Sequence, residues 1–322
     1  MFSLSDLEHA ATIVYAAMPP TPQYQWPLLA DALGCEVWVK HETHTPTGAF
    51  KVRGGLVCVD QTIRERPSVT SLVSATRGNH GQSLAFAGRR VGLKVSIVVP
   101  HGNSLEKNAA MRAFGADLIE VGRDFDEAAR HARAMAAEIG GEFVPSFQRS
   151  LVTGVATYAQ ELLTAVPDLD AIYVPIGLGS GICGVIRTRD LLGRKTQVIG
   201  VVSTEADAYA QSVDAGRVIT TDTAATFADG MAVRVPNEEA LEIIRAGVER
   251  VVRVSDDEIA AAIRLLWSAT HCAAEGAGAA SLAALMQERD RMAGRRVAVV
   301  LCGQNIDTDR FATVLAGHTP AP

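Results

Sequence analysis

The most informative segment of the chain reads Thr45-Pro46-Thr47-Gly48-Ala49-Phe50-Lys51-Val52-Arg53-Gly54-Gly55. Lys51 stands among small and apolar residues, and such surroundings disfavour the charged ammonium group and lower its pKa. A lysine in this state is nucleophilic enough to form a Schiff base with an aldehyde. The ordinary alternative is a surface lysine at the start of a helix, because lysine is rarely buried. The other motifs of the chain favour the first interpretation.

Three further motifs each follow or close a predicted strand. They read Ser74-Ala75-Thr76-Arg77-Gly78-Asn79-His80-Gly81-Gln82, Pro175-Ile176-Gly177-Leu178-Gly179-Ser180-Gly181-Ile182-Cys183-Gly184 and Leu301-Cys302-Gly303-Gln304-Asn305-Ile306-Asp307. Together with the lysine segment, in this order and at these spacings, they resemble the fold-type II pyridoxal-phosphate enzymes. Within that group the chain is similar to the threonine and serine dehydratases and to serine racemase. The resemblance begins near Thr21 and covers nearly the whole chain.

The composition restricts the class of protein. A chain of 322 residues with 48% hydrophobic and 20% charged residues is typical of a globular protein with one large or two medium domains. A net charge of −6 without a basic cluster argues against a nucleic-acid partner. The longest uncharged run, 171–186, contains a proline and four glycines and is short for a membrane span. Five scattered cysteines, and acidic residues where a signal peptide is basic, predict a soluble cytoplasmic protein with reduced thiols.

Short apolar runs alternate with helical patterns along the chain, which predicts βαβ units and parallel sheets covered by helices. The predicted strands are Glu36–Lys40, Ser71–Ala75, Lys94–Pro100, Asp117–Val121, Ala171–Val174, Gln197–Ser203, Val251–Ser255 and Arg296–Leu301. The predicted helices include Gly81–Val91, Phe125–Ile139, Asp256–Thr270 and Ala277–Arg289. The resemblance implies an α/β fold of two parallel-sheet domains with the active site in the cleft between them. It makes residues 71–147 a small domain inserted into a large cofactor-binding domain of residues 1–70 plus 148–322.

The loop after the strand Ala171–Val174 has two interpretations. Closely spaced glycines before a helix let backbone N–H groups approach a phosphate. The pattern also loosely matches a dinucleotide-binding fingerprint, with Glu205 placed to bind a ribose. That alternative, a nicotinamide oxidoreductase, leaves the other three motifs unexplained. By the resemblance, the cofactor phosphate is held by Gly177, Leu178, Gly179, Ser180 and Gly181, where Leu178 and Ser180 depart from the family's denser glycine run.

The resemblance assigns the other cofactor contacts as well. Lys51 carries pyridoxal 5'-phosphate, Phe50 stacks on its ring and Asn79 forms a hydrogen bond with the ring hydroxyl. The ordinary alternatives are core packing for Phe50 and helix capping for Asn79. Cys302 falls where the family places a serine or cysteine against the pyridine nitrogen. A neutral group there makes the ring a weaker electron sink, which favours elimination over transamination.

The resemblance places the substrate carboxylate on Thr76, Arg77, Gly78, Asn79 and His80. Arg77 is the main departure, because serine racemases carry a serine there that acts as acid and base. A guanidinium does not exchange protons near neutral pH, which argues against racemisation. Arg77 is therefore predicted to pair with a substrate side-chain carboxylate, as in 3-hydroxyaspartate. The alternative is that it turns outward or binds the protein's own acids.

Two further features come from the same alignment. Val202 and Ala208 occupy the positions of the family's metal-binding acids, so no metal site is predicted, although Glu205 and Asp207 lie nearby. The turn Ala228-Asp229-Gly230 is expected near the cleft, and Glu275 is expected near the cofactor ring.

These observations predict a dehydratase or ammonia-lyase that removes water and ammonia from a β-hydroxy amino acid. The substrate candidates are threonine, serine, 3-hydroxyaspartate and phenylserine, and the product is a 2-oxo acid. Lys51 is the expected general base once the substrate has displaced it. A racemase of the same family is the alternative, and a binding protein on a decayed scaffold is a third hypothesis. By the resemblance we expect a cytoplasmic homodimer with no membrane partner.

Overall fold

The computed structural model describes all 322 residues. Ten strands, β1 to β10 in chain order, are Gln23–Gln25, Glu36–His41, Ser71–Ala75, Lys94–Val99, Asp117–Glu120, Glu142–Phe143, Ala171–Pro175, Gln197–Ser203, Arg250–Val254 and Arg296–Leu301. Fourteen helices, α1 to α14, are Leu4–Tyr15, Pro27–Leu33, Lys51–Glu65, Asn79–Arg90, Leu105–Ala113, Phe125–Ile139, Arg149–Ala165, Ser180–Leu191, Ala208–Ala215, Glu238–Gly247, Asp256–Thr270, Gly276–Gln287, Arg289–Met292 and Thr308–Leu315. None of the helices combines the length and apolar character that a bilayer-spanning helix requires.

The strands form two sheets, and the predicted α/β class is confirmed. The larger sheet has the order β1-β2-β10-β7-β8-β9, and the smaller has the order β5-β4-β3-β6. All neighbouring strands are parallel except β1, which pairs antiparallel with β2 at the edge of the larger sheet. The predicted parallel sheets are thus present, and the short edge strand β1 adds one antiparallel pairing to the larger sheet.

All eight predicted strands are present, and their ends agree with the structure to within one residue. The two strands that were missed, β1 and β6, have three and two residues, too few to show a hydrophobic period. Helices α6 and α11 have the predicted bounds because side chains cap them: Asp124 accepts from the backbone of Glu127, and Ser255 forms a capping box with Glu258. Helix α4 begins at Asn79, two residues earlier than predicted.

Helix α3 lies between the two sheets and begins with Lys51. One of its faces packs on α7, beside the larger sheet. Its side chains Val52 and Leu56 belong to the same apolar cluster as Leu72 and Ile97 of the smaller sheet. The first turn of α3 is therefore fixed from both sides, at the place where the two sheets face each other.

A cluster of four buried charges anchors α3. Arg53 donates to Glu42 at 2.7 Å and to Glu161 at 2.6 Å, and Lys40 donates to Glu161 at 2.5 Å. The two positive and two negative charges balance, and Thr21 adds hydroxyl contacts to both carboxylates. The cluster connects the end of β2, helix α3 and helix α7. Buried charges are tolerated only when paired, so these residues fix one another's positions.

We expect Arg53→Met to lower the free energy of unfolding by about 3–5 kcal/mol, because it leaves Glu42 and Glu161 buried with too few cations. Urea unfolding of the purified protein measures this loss. Glu142→Ala is the matched control, since it breaks a largely exposed ion pair with Arg66 and should cost less than about 1 kcal/mol. Equal losses in the two variants would contradict the anchoring role of the cluster.

Candidate active site

The four sequence motifs meet in one cavity between the sheets, with a volume of about 390 Å³. It lies at the carboxyl ends of β3, β7 and β10, where parallel-sheet folds place their ligands. All the site residues predicted from the sequence line it: Phe50, Lys51, residues 76–80, residues 177–181 and Cys302. Asp229, Gly230 and Glu275, expected near the cleft, line it too.

Lys51 places its amine in this cavity. Its Nζ donates to Ser180 Oγ at 2.8 Å and lies 4.9 Å from the centre of the Phe50 ring. Burial lowers the pKa of Lys51 to about 8, although the negative charge of Glu275 partly offsets this effect. A measurable fraction of the amine is therefore neutral near physiological pH, which is the form that acts as a nucleophile or base.

The glycine loop presents backbone N–H groups to the same space. Helix α8 begins at Ser180, and the N–H groups of Ser180 and Gly181 have no hydrogen-bond acceptor within the protein. Tyr209 holds the loop by donating to the carbonyl of Leu178 at 2.9 Å. A Cβ atom at Gly177 would lie 2.4 Å from the carbonyl oxygen of Gly230, so only glycine fits there. These free donors at a helix N-terminus are suited to a phosphate group.

Asn79 makes two side-chain hydrogen bonds at the first turn of α4. Its Nδ2 donates to Glu275 Oε1 at 2.7 Å, and its Oδ1 accepts from Asn305 Nδ2 at 2.8 Å. Asn79 is thus not a helix cap, and that alternative is wrong. Asn305 received no role from the sequence, although it lies in the third motif. The sequence signal for a role of Asn305 in the site was its position shortly after the end of β10.

Phe50 and Cys302 both border the cavity, and the backbone N–H of Phe50 donates to the carbonyl of Cys302 at 3.0 Å. Phe50 makes an edge-to-face contact with Tyr158, with ring centres 6.2 Å apart. Phe50 is therefore packed as well as exposed to the cavity, so its two interpretations are compatible. Cys302 is buried, and burial raises the pKa of its thiol well above the ordinary value, helped by the charge of Glu275. The thiol is therefore protonated.

Lys107 was missed because a single lysine in a helix carries no sequence signal. It is buried, and its Nζ lies 2.6 Å from Asp229 and 3.5 Å from Glu275. Burial alone would lower the pKa of Lys107, but these two carboxylates outweigh it and raise the pKa. Its stem packs against Gly78, where an added Cβ would lie 2.5 Å away. Lys107 is thus positively charged, and its stem packs against the segment 76–80.

Arg77 lines the cavity with an exposed side chain that makes no hydrogen bond or ion pair within the protein. Arg234 also lines the cavity but contacts Asp126 and lies 3.8 Å from Asp124. Arg77 does not bind the protein's own acids, so that part of the alternative is wrong. Its guanidinium is free to meet an anionic group of a ligand.

The remaining candidate ligands for metals or nucleotides lie elsewhere. No group of three or more histidine, cysteine, aspartate or glutamate side chains is close enough to hold a metal ion. Asp207 is paired with Arg253 at 2.9 Å, and Glu205 is exposed and does not line the cavity. His80 is buried, and burial with the nearby charge of Lys51 lowers its pKa to about 3, so its imidazole is neutral.

The cleft between the two sheets contains a lysine of lowered pKa and a helix N-terminus with free N–H groups. In an α/β fold, this combination is typical of a fold-type II pyridoxal-phosphate enzyme. Residues 14–303 match the family model described as "Pyridoxal-phosphate dependent enzyme". The chain belongs to this family, and its cofactor is pyridoxal phosphate. The residues present fit the cofactor, because the amine of Lys51 and the free N–H groups of α8 lie in one cavity of suitable volume. The nicotinamide interpretation of the glycine loop is thereby excluded.

Three known proteins show how far the similarity extends. L-threonine ammonia-lyase from Thermotoga maritima is 31% identical over 98% of this chain and 78% of its own length. L-threo-3-hydroxyaspartate ammonia-lyase from Saccharomyces cerevisiae is 28% identical over 98% of this chain and 97% of its own. The crystal structure of a pyridoxal 5'-phosphate-dependent aspartate racemase superimposes with a TM-score of 0.91 at 26% identity, covering 96% of this chain and 97% of its own.

Proposed function

We propose that this enzyme removes water and ammonia from an acidic β-hydroxy amino acid, of which 3-hydroxyaspartate is the simplest. The reaction class rests on the relatives: the chain is a pyridoxal-phosphate-dependent ammonia-lyase of β-hydroxy amino acids. The choice among substrates rests on one observation, the unpaired guanidinium of Arg77 in the cavity. A guanidinium that faces a ligand pairs best with a carboxylate, through two parallel hydrogen bonds.

The roles of the cavity residues follow from their positions. When bound, the cofactor supplies an electron sink for the bond broken at the substrate Cα. Lys51 would hold it covalently, the N–H groups of Ser180 and Gly181 its phosphate, and Asn79 its ring hydroxyl. Phe50 would pack against the ring. Substrate binding would use the backbone of residues 76–80 for the α-carboxylate and Arg77 for the side-chain carboxylate.

Lys51 is the base that we assign to the Cα proton. With a pKa of about 8, about a tenth of the amine is neutral at pH 7. Ser180 Oγ accepts a hydrogen bond from Nζ at 2.8 Å and so orients the amine between proton transfers. Loss of the Cα proton together with the β-hydroxyl amounts to loss of one water, and the released product would take up one water to give a 2-oxo acid and ammonia.

Cys302 directs the reaction toward elimination. Its thiol is buried and protonated, so it offers the ring nitrogen a neutral partner instead of a carboxylate. A neutral partner at that position would favour elimination of a β-leaving group over transamination.

Racemisation is the second candidate activity, because an aspartate racemase has the same fold. It requires a proton donor and acceptor on the face of Cα opposite Lys51. Arg77 stands where serine racemases carry a serine, and a guanidinium keeps its proton at every physiological pH. We therefore infer that racemisation is absent.

The domain division and the cellular setting are also proposals. We propose that residues 71–147 form the small domain and that residues 1–70 plus 148–322 form the large one. Support comes from the smaller sheet, whose four strands all lie between residues 71 and 143. All five cysteines are free, which supports a cytoplasmic location, where thiols stay reduced.

We expect Lys51 to be the residue that binds the cofactor covalently. Apoenzyme should be mixed with pyridoxal phosphate at several pH values, reduced with borohydride and mapped by peptide mass spectrometry. The pyridoxyl adduct should appear on the peptide that contains Phe50, Lys51 and Val52. Its rate of formation should rise as the pH increases through about 8, because only the neutral amine reacts. An adduct on Lys107, or none on Lys51, would show the assignment to be wrong.

Arg77→Ala should raise the KM for 3-hydroxyaspartate about 10- to 100-fold, since a hydrogen-bonded charge contributes ~1.5–3 kcal/mol. The KM for threonine should change little, because threonine has no side-chain carboxylate. Arg77→Lys keeps the charge but loses the planar guanidinium, so its KM for 3-hydroxyaspartate should lie between the values of the unmodified enzyme and Arg77→Ala. Arg77→Ser should allow some D-serine to form from L-serine, whereas the unmodified enzyme should form none. Equal effects on acidic and neutral substrates would make Arg77 a structural residue.

We also propose a homodimer. Four exposed apolar side chains lie on neighbouring elements beside the larger sheet: Tyr24 on β1, Leu28 on α2, Trp267 on α11 and Leu315 on α14. Exposed apolar groups of this kind mark association surfaces. Light scattering should give the mass of two chains, and Leu28→Asp should shift the protein toward monomer. Leu105→Asp, at an even more exposed leucine on α5, is the control and should leave the dimer intact. A monomeric unmodified protein would contradict the proposal.

A further inference from the structure

The amide of Asn305 has a fixed orientation. Its Nδ2 donates to the backbone carbonyl of Thr47 and to Asn79 Oδ1, each at 2.8 Å. A carbonyl oxygen can only accept, so the NH₂ group must face Thr47, and an amide NH₂ has two hydrogens. The two short contacts use both hydrogens, one on Thr47 and one on Asn79, while Gln82 Oε1 lies farther away at 3.5 Å. Turning the amide over would bring oxygen against oxygen at Thr47.

This orientation determines the orientation of Asn79. Because Asn79 Oδ1 accepts from Asn305, its NH₂ group lies on the other side of the amide. One of those hydrogens goes to Glu275 Oε1 at 2.7 Å. The second hydrogen has no partner within the protein, and Asn79 lines the cavity. Asn79 thus presents one free N–H donor and no free acceptor position on that side.

The Asn305 side chain fits because residue 48 is a glycine. Gly48 has a φ of +68°, and a Cβ atom there would lie 2.7 Å from Asn305 Oδ1. Backbone hydrogen bonds fasten the two segments together, from Gln304 to Gly48 at 3.0 Å and from Phe50 to Cys302 at 3.0 Å. The segment that carries Asn305 is therefore joined to the segment that leads into Lys51.

We propose that Asn305 is a positioning residue that locks the Asn79 amide with its NH₂ group available to the cofactor. The inference rests on the proposed function, in which Asn79 donates to the ring hydroxyl of pyridoxal phosphate. Without Asn305, the Asn79 oxygen loses its donor, and only the contact of the Asn79 NH₂ group with Glu275 opposes a turn of the amide that would present its oxygen to another oxygen. The cofactor would then lose one hydrogen bond and meet a repulsive contact.

Binding of pyridoxal phosphate to the apoenzyme tests the proposal without relying on activity. Asn305→Asp keeps the volume of the side chain but removes both donors, so the dissociation constant for pyridoxal phosphate should rise about tenfold. Gln304→Glu is the matched control. It makes the same change from amide to carboxylate at the next residue, whose side chain is exposed and makes no hydrogen bond, and it should leave the dissociation constant unchanged.

A double-mutant cycle decides whether Asn305 acts through Asn79. Asn79→Ala and Asn305→Ala should each weaken binding, and the double variant should bind no more weakly than Asn79→Ala alone. Effects that multiply, or an Asn305→Ala variant that binds like the unmodified protein, would overturn the positioning role. If Asn79→Ala alone leaves binding unchanged, the fault lies in the proposed contact of Asn79 with the cofactor. Thermal melting of each apoenzyme identifies any variant that does not fold, and the second Asn305 variant then carries the comparison.

Discussion

The neutral cluster of Arg53, Lys40, Glu42 and Glu161 is the constraint on which the site depends. Arg53 lies two residues after Lys51 in the same helix, and its guanidinium reaches carboxylates from β2's end and from α7. A buried charge that loses its partner costs several kcal/mol, so none of these elements can shift alone. Lys51 is thereby held at the first residue of a helix whose position is fixed. The amine therefore stays buried in the cavity, although burial disfavours its charged form.

Burial or a charged partner sets the protonation state of several ionisable groups in and around the cavity. His80 is neutral, the Cys302 thiol is protonated and the amine of Lys51 has a lowered pKa, all for the same reason, which is burial. Lys107 and Arg234 carry charge, but acidic partners already bind them. Arg77 is different because it borders the cavity without a partner. This contrast is the physical basis for preferring an acidic substrate over threonine.

Much of the site could be predicted because its residues lie in short motifs at the ends of strands. The apolar runs locate the strands, and parallel strands bring their carboxyl ends to one edge. The residues that follow Ala75, Val174 and Leu301 must then meet. Asn305 and Lys107 received no role, because their importance comes from partners 226 and 122 residues away. No local pattern reports contacts of that kind.

The sequence by itself determined eight of the ten strands, the order of the motifs and the family, because these depend on local hydrophobic patterns and on short segments. Only the tertiary structure decided which polar groups are already satisfied. Arg234 meets Asp126 across 108 residues of chain, whereas Arg77 meets no acid at all. Both are arginines beside the same cavity. Their difference arises because hydrogen bonds and ion pairs depend on distances in the folded chain, which the spacing of residues in a sequence does not specify.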